Sequence, residues 1–241
     1  MWTDILSVSP RLGVRGAMKK SLLIVAMLGV VAASQADVIA NWTFEVSIPA
    51  TAGPHAAEIG TGLATGSHSN ASVVYSNPVG NGSLESFSSN FWSVGDYYQF
   101  QFSTIGLENV NFSWDQTGSS TGPRDFQVQY STDGTNFTNF GSGYEVLLNG
   151  APNGAWTSSA YNPAYSFSVD MSSVSAIDNQ ANVFLRLTNT STVSINLGTV
   201  ATGGTNRVDN VLVEATAVPE PATMAILGLG VAALARRRRK N

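Results

Sequence analysis

The sequence predicts an all-β domain, an antiparallel two-sheet sandwich of jelly-roll type, with a signal peptide before it and a single transmembrane helix after it. Three observations carry the β prediction. Apolar and polar residues alternate with period two in short runs, turn residues separate the runs, and nothing between residues 37 and 216 sustains the period of an amphipathic helix.

In chain order, the first strands are expected at residues 38–45 and 71–76. Tyr98, Phe100 and Phe102 then alternate with Gln99 and Gln101, Val110, Phe112 and Trp114 with Asn111 and Ser113, and Phe126, Val128 and Tyr130 with Gln127 and Gln129. Successive side chains on a strand point to opposite sides, so each run has one apolar and one polar face. Further strands are expected at 144–148, 165–170, 183–188 and 208–214. Asp133-Gly134, just before Phe137, is a short-range hairpin signal. Thr121-Gly122-Pro123 and Asn153-Gly154 mark other reversals. The total is about eight to ten strands, typical of a sandwich. A β-helix is the alternative, but it would need a fixed internal repeat, and the sequence has none.

The net charge of −4 conceals a strong asymmetry. Arg11, Arg15, Lys19 and Lys20 precede residue 37, and Arg236 to Lys240 close the chain. Between Asp37 and Pro221 there are only Arg124, Arg186 and Arg207 against 15 acids, a formal charge of −12. Such a domain has no basic face for a phosphate backbone, which argues against nucleic acid as a partner. With no cysteine, it must rest on a hydrophobic core rather than on disulfides.

Met18-Lys19-Lys20, an apolar run from Leu22 to Ala33, and small residues before a cut at Ala36/Asp37 read as a secretory signal peptide over residues 1–36. Translation is expected to start at Met18, with residues 1–17 an upstream extension, or else those residues form a long positive region. At the other end, residues 222–235 are an apolar run that as a helix would span about 21 Å, short of the roughly 30 Å hydrocarbon core. The cluster 236–240 behind it would stay cytoplasmic, leaving the acidic domain, 37–216, outside.

Val218-Pro219-Glu220-Pro221, the apolar helix and the terminal basic cluster, in that order over 217–241, resemble the PEP-CTERM sorting signal of Gram-negative bacteria. The resemblance implies recognition by a membrane-embedded exosortase, with Pro219, Glu220 and Pro221 as the motif it reads. It also implies anchorage in the inner membrane until the tail is cut, delivery to the cell surface or extracellular matrix, and an association with exopolysaccharide and biofilm. Two prolines keep the segment extended and accessible before the membrane.

Asn41-Trp42-Thr43-Phe44-Glu45 and Arg207-Val208-Asp209-Asn210-Val211-Leu212-Val213 resemble the first and last strands of jelly-roll carbohydrate-binding modules. In such folds these strands lie side by side. The resemblance implies a structural calcium ion held by Glu45 and Asp209, whose oxygens suit that hard cation.

Catalytic signals are sparse. His55 and His68 are the only histidines, and both are expected on exposed loops without a partner acid. Glu45, Glu85, Asp96, Glu108, Asp115 and Asp125 could in principle supply a glycosidase pair, but nothing selects two of them. Arg124 and Asp125 are expected to make a local polar contact. Trp114, in phase with Phe112, is expected in the core, whereas Trp156, among Asn153, Gly154 and Ser158, is the candidate for an exposed sugar-stacking residue. The expected function is therefore that of a non-enzymatic surface or matrix protein. An envelope-attached carbohydrate-binding module is the alternative, and a hydrolase the third reading.

Overall fold

A computed structural model describes residues 35–218, with Gly228, Gly230 and 235–238. The strands follow from the alternation of large apolar residues. β1 (Asp37–Trp42) is followed by three short segments, β2 (His55–Ala56), β3 (Ile59–Gly60) and β4 (Gly62–Ser67), and then by β5 (Tyr75–Ser76) and β6 (Phe87–Ser89). β7 (Tyr97–Phe102), β8 (Leu107–Gly118), β9 (Asp125–Ser131) and β10 (Thr138–Glu145) come next. β11 (Leu147–Leu148), β12 (Ser166–Asp170), β13 (Val183–Asn189) and β14 (Asn206–Ala217) complete the order.

These strands form two sheets. The eight-stranded sheet runs β11-β8-β14-β1-β3, with β12 on β8 and with β6, carrying β5, on β14; the six-stranded sheet runs β10-β9-β13-β7-β4-β2. Only the two-residue β11 pairs in parallel, on the far end of β8. The chain passes repeatedly from one sheet to the other, as in jelly-roll sandwiches. The sequence resemblance places β1 beside the last strand, and Trp42 indeed faces Val211 across the antiparallel β1–β14 pair.

The predicted alternations are the two inner faces. Tyr98, Phe100, Phe102, Val110, Phe112, Trp114, Phe126 and Val128 are buried between the sheets. Trp42 meets Phe100 at 5.3 Å between ring centroids, and Phe112 stacks on Trp114 at 4.8 Å. Such rings each bury about 150–250 Å² and so dominate the core's energetics. The buried hydrophobic residues run from Ala40 to Ala215, so residues 37–217 carry both sheets and their core and can fold as a unit.

Several strands differ from the sequence reading. β1 stops at Trp42, because Phe44 adopts φ +60° and turns the chain away before Glu45. Only Tyr75–Ser76 of the stretch 71–76 is strand. The stretch 144–148 is broken at Val146, which is buried where the chain leaves the six-stranded sheet for the eight-stranded one. β4 was invisible because its inward positions are small. A side chain at Gly62 would strike the Trp42 indole, and one at Gly66 the Tyr75 ring. The strand is built of residues that look like loop because large aromatics lie over it.

The expected signal peptide (1–36, including Met18) and the motif Pro219-Glu220-Pro221 lie almost wholly outside the described residues, as does most of 222–235. Gly228, Gly230 and 235–238 are helical. Among the described residues, no helix is long and apolar enough to cross a membrane.

Candidate functional site

Two regions gather chemistry. The first lies on the outer side of the eight-stranded sheet, where Asp209 of β14 faces Asp115 of β8 in register. The register then shifts between Asp209 and Leu212, and Asn210 takes φ +47°. A short polar residue adopts that left-handed conformation more readily than most, and the resulting bulge re-aims the neighbouring side chains. Asn210 Nδ2 thereby donates to Asp115 Oδ2 (2.8 Å), which also accepts from Asn81 Nδ2 (3.1 Å). Asp115 Oδ1 accepts from Ser166 Oγ at 2.6 Å.

Asp209 is fully buried. Its Oδ2 accepts from the Asn81 main-chain N–H (2.8 Å) and from Ser83 Oγ (2.5 Å), but its Oδ1 is buried with no hydrogen-bond partner. Burial pushes its pKa up to about 7, against the hydrogen bonds from Ser83, Asn81 and Asn210, and the nearby Asp115 adds to the rise. Glu45 reaches the same loop from the other side, its Oε1 accepting the Glu85 N–H at 2.7 Å. A side chain at Gly80 would run into Asp209 Oδ2, Ser83 Oγ and the Glu85 carbonyl, so that position must stay bare. Glu45 and Asp209 thus bracket one loop, in which carboxylate, hydroxyl and carbonyl oxygens converge. These are the donors a calcium ion takes, and the orphaned Oδ1 is the kind of atom it would satisfy. Among the described residues there is no cluster of three or more His, Asp or Glu side chains that could hold a metal, so a bound ion would depend on main-chain and hydroxyl oxygens as well.

Trp156 lies in a loop but is not exposed. It is 3% accessible, its Nε1 donates to Val79 O (2.7 Å) and its ring packs edge-on against Tyr165. The indole props up the loop that covers the acid cluster and offers no open face to a sugar, which corrects the expectation of an exposed platform.

The histidines also depart from expectation. His55 is nearly buried, bonds Thr51 O through Nε2 (3.0 Å), and packs edge-on against Phe87. The His68 side chain is wholly buried, with Nδ1 at 3.2 Å from Asp96 Oδ2 and Nε2 at 3.0 Å from Ser89 Oγ. The order Asp–His–Ser has the look of a nucleophilic triad. However, Ser89 is 1% accessible and its Oγ also lies 2.9 Å from the Tyr98 hydroxyl, while Trp92 packs against the imidazole at 4.4 Å. The group is closed within the core and reaches no substrate. Burial lowers the His68 pKa, despite the pull of Asp96 in the other direction. No spacing in the sequence announces this contact, since the three residues are brought together only by packing.

The second region is the outer face of the six-stranded sheet. One row crosses five strands in register: Thr65, Gln99, Arg186, Gln129 and Asn139. Amides link along it. Arg186 Nε donates to Gln99 Oε1 (2.8 Å), Gln129 Nε2 donates to Asn139 Oδ1 (2.8 Å), and Thr188 Oγ1 of the next row donates to Gln129 Oε1 (2.9 Å). The Arg186 guanidinium carbon lies 3.7 Å from the centroid of Tyr97 and 3.4 Å from that of Phe137. Both rings therefore pack directly against the cation. On the other side of the row, Leu63 and Gln101 lead into a depression of about 400 Å³ shared with Asn182. The polar halves of β7 and β9 were legible as polar; that they align into a continuous face was not.

Fold and surface together define an antiparallel β-sandwich of jelly-roll type joined to a sorting tail. Residues 217–240 match the PEP-CTERM protein-sorting motif, so the chain carries that signal. No curated protein matches the chain. Among solved structures it is similar to the CBM22-1 xylan-binding domain from Paenibacillus barcinonensis Xyn10C (10% identity, TM-score 0.46, 78% of this chain and 100% of that one). It is also similar to the K1 cleaved adhesin domain of Lys-gingipain from Porphyromonas gingivalis W83 (13% identity, TM-score 0.41, 74% and 98%). A family 35 carbohydrate binding module from Clostridium thermocellum is a further neighbour (15% identity, TM-score 0.35, 63% and 90%). At such identities the ligands of these neighbours do not transfer to this chain.

Proposed function

We propose that this protein is a non-catalytic surface or extracellular-matrix protein, exported, sorted by an exosortase, and built to bind polysaccharide on the outer face of its six-stranded sheet. The sorting half of the reading is supported by the motif at 217–240. The binding half rests on one observation, the hydrogen-bonded amide row with Arg186 packed against Tyr97 and Phe137. Planar amides offer donors and acceptors matched to sugar hydroxyls, and aromatic groups beside them supply apolar contact. A few convergent polar groups beside apolar ones are the usual make-up of a ligand site.

The test is a glycan array probed with residues 37–217, followed by titration of each hit against Tyr97→Ala and Gln99→Ala. Saturable binding that weakens at least tenfold in both variants is expected. Binding that survives both would move the site off this face.

The tail carries a separate expectation. In this reading residues 222–235 hold the protein in the inner membrane until cleavage near Pro219-Glu220-Pro221. Replacing those three residues by alanine should leave export intact and abolish tail removal in a host with the exosortase, seen as a protein that stays in the membrane fraction at its larger mass. Unchanged processing would remove the motif's role.

A structural calcium ion belongs to the same reading. Asp209, Glu45, Ser83 and the Glu85 carbonyl would hold it, and it would neutralise the buried Asp209 carboxylate and fix the loop against β14.

A further inference from the structure

The domain's charge is distributed in a way that neutral-sugar binding does not require. Of its three arginines, Arg124 is paired, with Asp125 at 2.7 Å and Glu145 at 3.7 Å. Neither Arg186 nor Arg207 has a carboxylate within ion-pair distance among the described residues, although acids outnumber basic residues 15 to 3 between Asp37 and Pro221; Arg207 belongs to β14 of the other sheet and reaches Val79 O at 3.5 Å, which leaves Arg186 as the cation of the amide row. The rows around it also lack acids: Thr65, Gln99, Gln129 and Asn139 flank it in register, and Ser67, Tyr97, Thr188 and Gln127 form the neighbouring row. Asp133, exposed in the nearby β9–β10 hairpin, has its carboxylate engaged within its own turn by Ser131, Thr135 and Asn136. A cation without a carboxylate partner, flanked by acid-free rows while Asp125 and Glu145 further along the same face are engaged by Arg124, is an electrostatic feature that calls for an anion.

The surroundings of the guanidinium bear on its partner as well. Two rings pack against it and Gln99 holds it at Nε, with the Tyr97 phenol as the other polar group acting on it. A partner reaches the cation through the N–H groups that Gln99 leaves free. A carboxylate can accept two parallel N–H bonds there, as a sulfate or phosphate also can, so the experiment must separate these anions.

We infer that the polysaccharide bound on this face is a carboxylate-bearing one, a polyuronate, with one uronate carboxyl group paired to Arg186. The inference rests on the polysaccharide reading above and narrows it to a substrate class.

The experiment titrates residues 37–217 with polygalacturonate, with the same polymer after reduction of its carboxyl groups, and with dextran sulfate. Arg186→Gln and Arg186→Lys are measured alongside, each checked for an unchanged melt. Polygalacturonate should bind at least tenfold more tightly than its reduced form. Arg186→Gln should abolish that preference, and Arg186→Lys should retain only part of it. Equal binding of the acidic and reduced polymers, or a preference unaltered in Arg186→Gln, would overturn the uronate assignment and leave polysaccharide binding standing. Dextran sulfate bound as tightly as polygalacturonate, through Arg186, would overturn the carboxylate class. No binding to these polymers or to any glycan on the array would overturn both readings.

Discussion

Replacing Trp42 by alanine should cost about 3–5 kcal/mol, the range for truncating a buried aromatic side chain. Against a total stability of about 5–15 kcal/mol, that is enough to leave the domain marginal. The reason is position. Trp42 ends β1 in one sheet, yet its ring lies over Gly62 of β4 and against Phe100 of β7 in the other, and its Nε1 donates to His55 O at 3.2 Å. Truncation would open a cavity between the sheets and leave the His55 carbonyl without its donor. Urea unfolding followed by tryptophan fluorescence and circular dichroism measures the effect, with the midpoint falling and the slope unchanged. A loss below about 1 kcal/mol would show that this contact does not join the sheets as described. Gly62→Val should be comparably damaging from the other side, because its side chain would occupy the space the indole fills.

The second large effect is expected at Asp209. With calcium at about a hundred times its dissociation constant, the domain should gain about 2.7 kcal/mol, or about 5–10 °C in melting temperature for a chain of this size. Asp209→Asn should erase that gain. The pH dependence gives an independent check. In the absence of metal, the folded pKa of Asp209 is raised to about 7, above its unfolded value. The folded state then binds the extra proton, so the contribution of Asp209 is full below about pH 4 and is lost as pH rises towards 7. His68 acts in the opposite sense. Its folded pKa is depressed, so its contribution is full above about 6.5 and is lost as pH falls below that value. Calcium should abolish the loss of stability on approach to pH 7 and leave the His68 loss in place. A chelator-insensitive melt at pH 7.5 would remove the Glu45–Asp209 metal proposal.

What the sequence determined by itself is local. Alternation along Tyr98–Phe102, Val110–Trp114 and Phe126–Tyr130 fixed which side of β7, β8 and β9 faces inward, because side-chain direction on a strand has period two. Asp133-Gly134 marked the β9–β10 hairpin because glycine at φ +72° is what that turn needs. The tail was legible because composition, order and position at the chain end carry its meaning, and these do not depend on tertiary structure.

Other features were decided only when distant segments met. β4 could not be read from Gly62, Ala64 and Gly66, because their smallness answers to Trp42 and Tyr75 elsewhere in the chain. The burial of Trp156 under its own loop, the enclosure of His68 by Asp96, Ser89 and Trp92, and the convergence of Glu45 and Asp209 on the loop around Gly80 each join residues far apart in sequence. So does the alignment of Gln99, Arg186 and Gln129 into one row, which depends on strand register across β7, β13 and β9. Period and turn chemistry are properties of a few consecutive residues. Register, burial and electrostatic surroundings are set by what the rest of the chain places alongside, and both candidate sites of this protein depend on them.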